Sequence, residues 1–210
     1  NSPNYAYDLC VKKITEEQQQ TLDLSAWRVA LNGAEPVRAE TVRDFYSKFK
    51  NVGLAKTTMY PAYGLAEATL VVSAGLPASE PKVLQVDAGD LEKGQVSLSA
   101  EAVNSRELVA CGTALHHTVI AIVDPQTGQM AAKNTIGEIW VNGPAVAAGY
   151  WQNPAATEET FRAVLAEHPN QFFFRTGDLG FLHEGLLYIT GREKDLIIIR
   201  GANHYPQDIE

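Results

Sequence analysis

The strongest restriction on the fold comes from the first 76 residues, where strand-like and helix-like segments alternate. The apolar run Trp27–Leu31 ends in a turn at Gly33, and a segment with apolar residues at helical spacing begins at Pro36. A second strand-like stretch, "TTMYPAYG", breaks at Gly64, and the following "LAEATLVVSAG" is predicted to be a helix that ends at Gly75. Strand, helix, strand, helix at this spacing predicts a parallel α/β subdomain.

The rest of the chain is predicted to be mostly antiparallel β-structure. Residues 77–107 mix Pro, Gly, Ser and charged residues, which is typical of an irregular insertion. In residues 108–190 the runs "HTVIAIVD" and "IGEIWVNG" are predicted to pair, and one helix, "PAATEETFRAVLAEH", has Asn153 or Thr157 as its candidate N-cap. The predicted fold class is therefore α/β, with a parallel α/β subdomain followed by an antiparallel β-rich subdomain.

Composition and charge narrow the classes of function. The 210 residues are 45% apolar, which is enough for a buried core, and the net charge of −8 comes without any basic run, so nucleic acid is not an expected partner. No apolar run approaches the roughly 20 residues that span a bilayer. Cys10 and Cys111 lack a Cys-x-x-Cys pattern, which indicates reduced thiols. Together these features predict a cytoplasmic protein.

Two predicted strand ends carry residues that are suited to ligand binding. Tyr63 and Gly64 follow the second strand, where open α/β sheets bind ligands, and Gly33 ends the first strand in the same way. Glu67 lies in the first turn of the predicted next helix, where its carboxylate could hold a hard cation such as Mg²⁺. A buried tyrosine, turn glycines and a glutamate favoured by the helix dipole are equally common structural features. Spacing alone leaves both interpretations open.

A second candidate lies in "RTGDLGFLHEGLLYITGREKDLIII". Asp178 follows a glycine turn between strands, and its carboxylate only accepts hydrogen bonds, which suits a vicinal diol such as that of ribose. Arg192 lies further along and offers a fixed fork of donors that can reach the same sugar or a phosphate. The alternative is a surface ion pair that contributes at most about 1 kcal/mol.

Several motifs, taken together, resemble one enzyme family. "YGLAEATL", "RTGDLG" and "GREKDLIII", in this order, resemble the adenylate-forming superfamily of acyl and aryl ligases, luciferases and nonribosomal adenylation domains. "NGAEPV", "SRELVACG" and "GEIWVNGPAVAAGYW" look more specifically like fatty acyl-AMP ligases. The resemblance implies an internal fragment in which the β-rich part is a distorted barrel. It also implies that residues 191–210 form a hinge and the truncated start of a small C-terminal domain. The residues themselves predict a helix that begins at Pro206, because proline is favoured at the first helical position.

The resemblance implies an adenine site at the two strand ends. The backbone at Gly33, Ala34 and Glu35 would line this site. Tyr63 would stack on the base, and Gly64 would allow a close approach of the backbone.

The resemblance also assigns roles to the charged residues. Glu67 would bind Mg²⁺ bridging the ATP phosphates, although Ala66 stands where many relatives have a phosphate-binding threonine. Asp178 would hold the ribose hydroxyls, and Arg192 would contact the ribose side of the nucleotide. Lys194, the second residue after that arginine, would be the hinge of the small domain rather than a chemical catalyst.

The implied function is activation of a fatty acid by ATP to an acyl-adenylate, with release of pyrophosphate. The acyl group would pass to the phosphopantetheine of an acyl carrier protein in lipid, polyketide or nonribosomal peptide synthesis, and the insertion at residues 77–107 would disfavour coenzyme A. One alternative is a fatty acyl-CoA ligase. Another is a non-catalytic nucleotide-binding module, because the sequence has no glycine-rich phosphate loop and the family's catalytic lysine would lie beyond Glu210. We expect the fragment alone to be inactive.

Three aromatic residues near the predicted β-region helix are expected to serve packing. They are Tyr150, Trp151 and Phe161. Large aromatic side chains at such positions usually fill a core.

Overall fold

A computed structural model of the chain describes residues 1–99, 104–199 and 202–204. The helices are α1 (Asn4–Lys13), α2 (Glu16–Gln20), α3 (Ala39–Phe49), α4 (Ala88–Glu92) and α5 (Pro154–Phe161). Short 3-10 turns lie at Lys50–Val52, Lys56–Thr58, Ala66–Ala68 and Glu193–Asp195. Among these described helices, none has the length and apolar character needed to cross a membrane. The helix start predicted at Pro206 lies outside the described residues.

The strands form four sheets, and all but one of them are seven residues or shorter. They are β1 (Ala30–Asn32), β2 (Met59–Tyr63), β3 (Ser73–Ala74), β4 (Val83–Asp87), β5 (Ser105–Val109), β6 (Thr113–Ala114), β7 (Val119–Val123), β8 (Gly137–Asn142), β9 (Ala163–Leu165), β10 (His168–His183), β11 (Leu186–Arg192), β12 (Ile197–Ile199) and β13 (Ala202–His204). The four-stranded sheet has the order β1-β2-β3-β6, and the larger sheet has the order β11-β10-β8-β7 with β9 paired to β10. The β4–β5 and β12–β13 pairs form the other two sheets.

The first sheet confirms the parallel α/β layer in part. β1 and β2 are parallel, with Ala30 opposite Met59, and α3 packs over them through Phe45 and Phe49 in a core that also holds Tyr7 of α1. β3 and β6 extend this sheet in the antiparallel sense. The parallel part is therefore two strands wide in the described chain.

The helix predicted over residues 65–75 is wrong. The chain makes one 3-10 turn, then turns back through Thr69 and Leu70, whose φ angles of 52° and 79° are left-handed. The Val72 amide then donates to the Tyr63 carbonyl at 2.9 Å, and β3 joins β2. Pairing with both β2 and β6 gives this segment backbone partners, and β-branched valines suit a strand, so tertiary context outweighs the helical spacing.

The larger sheet confirms the antiparallel predictions. β7 pairs with β8, and β10 turns into β11 through Glu184 and Gly185. The Asn153 side chain caps α5, accepting from the Ala156 amide at 3.1 Å, but the helix ends at Phe161 because the next residues pair with β10 as β9. The strand path runs openly from β11 to β7, so the expected distorted barrel is not closed within the described residues.

Residues 77–107 contain more regular structure than their composition suggests. β4 pairs with β5 in an antiparallel register that sets Val83 opposite Val109, and α4 follows β4 directly. Val86 and Leu91 of this segment are buried against Phe181 and Tyr188 of the β10–β11 hairpin. Apolar side chains that alternate along a short strand are enough to attach such a segment to a neighbouring sheet. The interpretation of residues 77–107 as an insertion stays a prediction.

Of the predictions for the two cysteines and for the three aromatic residues near α5, the structure confirms some and contradicts others. Cys10 and Cys111 are unpaired as expected, and burial raises the pKa of the Cys111 thiol to about 12. Phe161 is buried, with its ring 4.8 Å from that of Phe174. The packing role predicted for Trp151 is wrong, because its side chain is 89% exposed in the turn before α5.

Gly112 lies where the two main sheets meet. Its carbonyl accepts from the Leu187 amide at 2.8 Å, and its φ of +75° is left-handed. A Cβ at this position would lie 1.6 Å from the Ala74 carbonyl oxygen. The close approach of β11 and β3 therefore requires glycine here.

Replacing Gly112 should destabilise the fold by more than backbone strain alone would cause. G112A should lower the free energy of unfolding by at least about 3 kcal/mol, because overpacking adds to the strain of a positive φ. G128A is the matched control, since its φ is +68° and nothing lies within 4 Å of an added Cβ, and it should cost about 1–2 kcal/mol. Urea denaturation followed by circular dichroism measures both, and equal losses would contradict the junction role.

Candidate functional site

A cleft of about 610 Å³ lies between the end of β2 and the hairpin of β10 and β11. Residues from both main sheets line it, including Tyr63, Glu67, Asp178 and Arg192, which are far apart in the sequence. The packing that closes the cleft floor is apolar: Tyr63 of β2 belongs to the same buried cluster as Phe174 of β10. The structure therefore brings together the four side chains that the sequence singled out.

Asp178 is the centre of the polar contacts in this cleft. Tyr63 donates its hydroxyl to Asp178 Oδ2 at 2.7 Å, and Arg192 Nε donates to Asp178 Oδ1 at 3.0 Å. Asp178 and Arg192 are also direct partners in the register of β10 and β11. Each carboxylate oxygen keeps a further acceptor position, so the pair of oxygens can still receive two hydroxyl donors.

Burial separates this contact from an ordinary surface ion pair. The Asp178 side chain is 15% exposed, whereas that of Arg192 is 65% exposed. Desolvation raises the pKa of Asp178 above its ordinary value, although the bonds from Tyr63 and Arg192 act in the opposite direction. Desolvation, assisted by the Asp178 charge, raises the pKa of Tyr63 well above its ordinary value. Tyr63 therefore stays protonated and donates to the carboxylate.

Tyr63 is buried, as the structural interpretation expects, and its position in the cleft leaves the ligand-binding interpretation a prediction. Its side chain is a buried member of the core, and it also lines the cleft and bonds Asp178. Gly64 lines the cleft beside it, and a Cβ on Gly64 would lie 1.4 Å from the Leu70 carbonyl oxygen. Gly64 is thus required by the tight return of the chain after β2. Stacking of Tyr63 on a base stays a prediction.

The loop after β1 contributes only part of the predicted set. Ala34 and Glu35 line the cleft. Gly33 is buried behind them, where an added Cβ would be 2.8 Å from the Ala62 carbonyl oxygen, and it does not line the cavity. The role of Gly33 in the structure is close packing of β1 on β2.

Glu67 is positioned by a loop that sequence reasoning did not connect to it. Tyr150 donates its hydroxyl to Glu67 Oε1 at 3.1 Å, and the Ala147 amide donates to the Glu67 carbonyl at 2.8 Å. No group of three or more His, Cys, Asp or Glu side chains is arranged to hold a metal in the described part of the chain. A cation at Glu67 would take its remaining ligands from phosphate oxygens and water, which is the usual manner of Mg²⁺.

Two further charged residues were missed. Glu138 and Arg175 both line the cleft, and they form an ion pair at 2.9 Å in which the Glu138 side chain is 2% exposed. The signal was present in "GEIWVNG", where strand alternation places Glu138 on the same face as Trp140. A charge on an apolar face of a predicted strand indicates a buried partner.

Lys194 lies in the exposed 3-10 turn after β11 and lines the same cleft. This position links the site to the last described hairpin, β12 and β13. The hinge role of Lys194 stays a prediction.

Two curated relatives match almost the whole chain. The chain is 49% identical to the medium-chain fatty acid–acyl-carrier-protein ligase JamA of Moorena producens, over 99% of this chain and 36% of that protein. It is 43% identical to the corresponding ligase TtuA of Teredinibacter turnerae, over 99% of the chain and 34% of that protein. The chain therefore spans about a third of the length of these relatives.

Solved structures match the fold as well. The fatty acid AMP ligase from Legionella pneumophila superposes with a TM-score of 0.86 and 48% identity, over 99% of this chain and 36% of that one. A fatty acyl-adenylate ligase from the same organism, solved with acyl adenylate and pyrophosphate, gives a TM-score of 0.87 at 48% identity, again over 99% and 36%. These matches confirm the predicted α/β fold class. The AMP-binding enzyme family matches residues 2–151, well over half of the sequence, and the chain belongs to that family.

Proposed function

We propose that this chain supplies the adenosine site of a fatty acyl-AMP ligase. The observation that carries the proposal is the convergence of Tyr63, Asp178 and Arg192 on one cleft between the two sheets. The structure of a relative with 48% identity was solved in complex with an acyl adenylate. The two curated relatives described above are named as fatty acid ligases. The acid substrate, ATP and the carrier protein are proposals, because the chain spans only about a third of the length of these relatives.

The chain's own residues would bind and orient the nucleotide. The Asp178 oxygens would accept from the two ribose hydroxyls, with Tyr63 and Arg192 holding the carboxylate in place. Ala34 and Glu35 would line the adenine site beside the ring of Tyr63. Glu67 would hold Mg²⁺, which when bound neutralises charge on the ATP phosphates.

In the proposed reaction an oxygen of the fatty acid carboxylate attacks the α-phosphorus of ATP. A new oxygen–phosphorus bond forms, and the bond to pyrophosphate breaks with pyrophosphate as the leaving group. Catalysis of this step is mainly positioning of the two reactants, and the cleft contributes by fixing the adenosine. The phosphopantetheine thiol of an acyl carrier protein would then accept the acyl group, and the cytoplasm is the compartment we propose.

The products distinguish this proposal from a fatty acyl-CoA ligase. The full-length protein carrying these residues, incubated with a fatty acid, ATP, Mg²⁺ and coenzyme A, should form acyl-adenylate and pyrophosphate with little thioester. Mass spectrometry of the products and a pyrophosphate assay measure the outcome. Abundant acyl-CoA would favour the alternative ligase, and absence of pyrophosphate would favour a non-catalytic nucleotide-binding module.

Removal of the Asp178 charge should weaken nucleotide binding. D178N should reduce the affinity for AMP by roughly 10- to 100-fold, because hydrogen bonds to a charged group contribute about 1.5–3 kcal/mol. D44N is the matched control, since Asp44 is exposed on α3 and does not line the cleft. Isothermal titration with AMP measures both variants, and equal affinities would remove Asp178 from the site.

The affinity for AMP should also depend on pH, because the Asp178 carboxylate can be protonated. Because its pKa is raised above 3.8, the carboxylate is protonated at a higher pH than an ordinary aspartate and loses acceptor capacity there. The ratio of the affinities for AMP and 2′,3′-dideoxy-AMP should therefore be constant near neutral pH and fall as the pH is lowered, beginning above the range of an unperturbed aspartate, because the phosphates of the two ligands titrate alike. Titrations across this range, with 2′,3′-dideoxy-AMP as the reference ligand, test the effect. A parallel decline for the reference ligand would exclude Asp178 as the cause.

A further inference from the structure

A buried carboxylate supports the segment that carries Asp178. Glu138 lies on β8, and its Oε2 accepts from Trp140 Nε1 at 2.8 Å and from Arg175 Nε and Nη2 at 3.1 and 2.9 Å. Its other oxygen, Oε1, accepts from the backbone amide of Gly177 at 3.1 Å. Glu138 thus bonds the residue that directly precedes Asp178 in the chain.

The strand register explains why these side-chain bonds are needed. β10 pairs with β8 up to Arg175 opposite Trp140, and pairing resumes only at Leu179 opposite Glu138. Between these points the backbone leaves the ladder, so its polar groups require other partners. Within the interrupted segment, side chains supply these hydrogen-bond partners.

Three hydrogen bonds in the interrupted segment show the replacement. Thr176 donates its hydroxyl to the Ile139 carbonyl at 2.7 Å and accepts from the Asp178 amide at 3.0 Å. The Gly177 amide donates to Glu138 Oε1, and Gly177 has a left-handed φ of +69°. These contacts determine the direction in which the chain enters Asp178.

Stability alone is a weak reason for this arrangement. A buried ion pair often contributes no more to folding than well-packed apolar side chains of similar volume. The Glu138 carboxylate also uses one of its two oxygens on a backbone amide beside the cleft rather than on Arg175.

We propose that Glu138 is a positioning residue that holds the bulge of β10 in the conformation that directs the Asp178 carboxylate into the cleft. This inference rests on the proposed ribose-binding function of Asp178. Glu138 would act through Gly177, and it would influence nucleotide selectivity through the ribose contact.

The test compares two ligands that differ only in the ribose diol. The full-length protein and its E138Q and E138D variants are titrated calorimetrically with AMP and with 2′,3′-dideoxy-AMP. E138Q replaces one carboxylate oxygen, which accepts from Arg175 or Gly177, by an amide group that donates. E138D keeps a carboxylate near Arg175, but its shorter side chain moves that carboxylate away from the Gly177 amide. In both, the preference for AMP should fall about tenfold or more, as in D178N, while the affinity for the dideoxy ligand stays unchanged.

The controls separate this inference from the function on which it rests. E158Q, at an exposed position on α5 that does not line the cleft, should keep the preference of the unmodified protein. If the unmodified protein shows no preference for AMP, the ribose contact itself is absent and both proposals fall. If D178N loses the preference but folded E138Q and E138D retain it, only the role of Glu138 is overturned. Failure of both Glu138 variants to fold by circular dichroism would assign the residue to stability and overturn the positioning role.

Discussion

The buried apolar cluster that joins the two main sheets is the contact on which the rest of the structure depends. Apolar side chains from both sheets form one buried cluster, and the Tyr63 hydroxyl extends it to the carboxylate of Asp178. Because burial of apolar surface is the main favourable term in folding, this cluster fixes the relative position of the two sheets. Tyr63 and Phe174 of this cluster also line the cleft. Folding and ligand geometry therefore share one set of contacts.

Because the same contacts serve folding and the cleft, two charged side chains are partly removed from water. Asp178 and Glu138 both lie at the boundary of the core, and each is surrounded by donors that offset the cost of desolvation. For Asp178 the balance leaves the pKa raised, with Tyr63 and Arg192 opposing the effect of burial. A carboxylate held in this way has a defined orientation before any ligand arrives, which reduces the ordering that binding requires.

Much of the candidate site could be predicted, but only from motifs. Tyr63, Glu67, Asp178 and Arg192 were selected by turn geometry, side-chain chemistry and family resemblance, and the structure places them in one cleft. Gly33 was selected by the same reasoning, yet it lies behind the cleft wall. Glu138 and Tyr150 were missed because their partners lie far away in sequence, at Gly177 and Glu67. Such contacts depend on strand register and loop docking, which no local pattern specifies.

Local sequence by itself narrowed the cap of α5 to Asn153 or Thr157, of which the structure uses Asn153, and specified the β10–β11 hairpin. A helix cap or a tight turn is set by residues within about four positions of one another, so its signal is complete in a short segment. Only the tertiary structure decided that residues 65–75 double back into β3, and that α5 ends where β9 begins. Strand partners supply backbone hydrogen bonds from distant parts of the chain, and these outweigh the small differences in local helix preference.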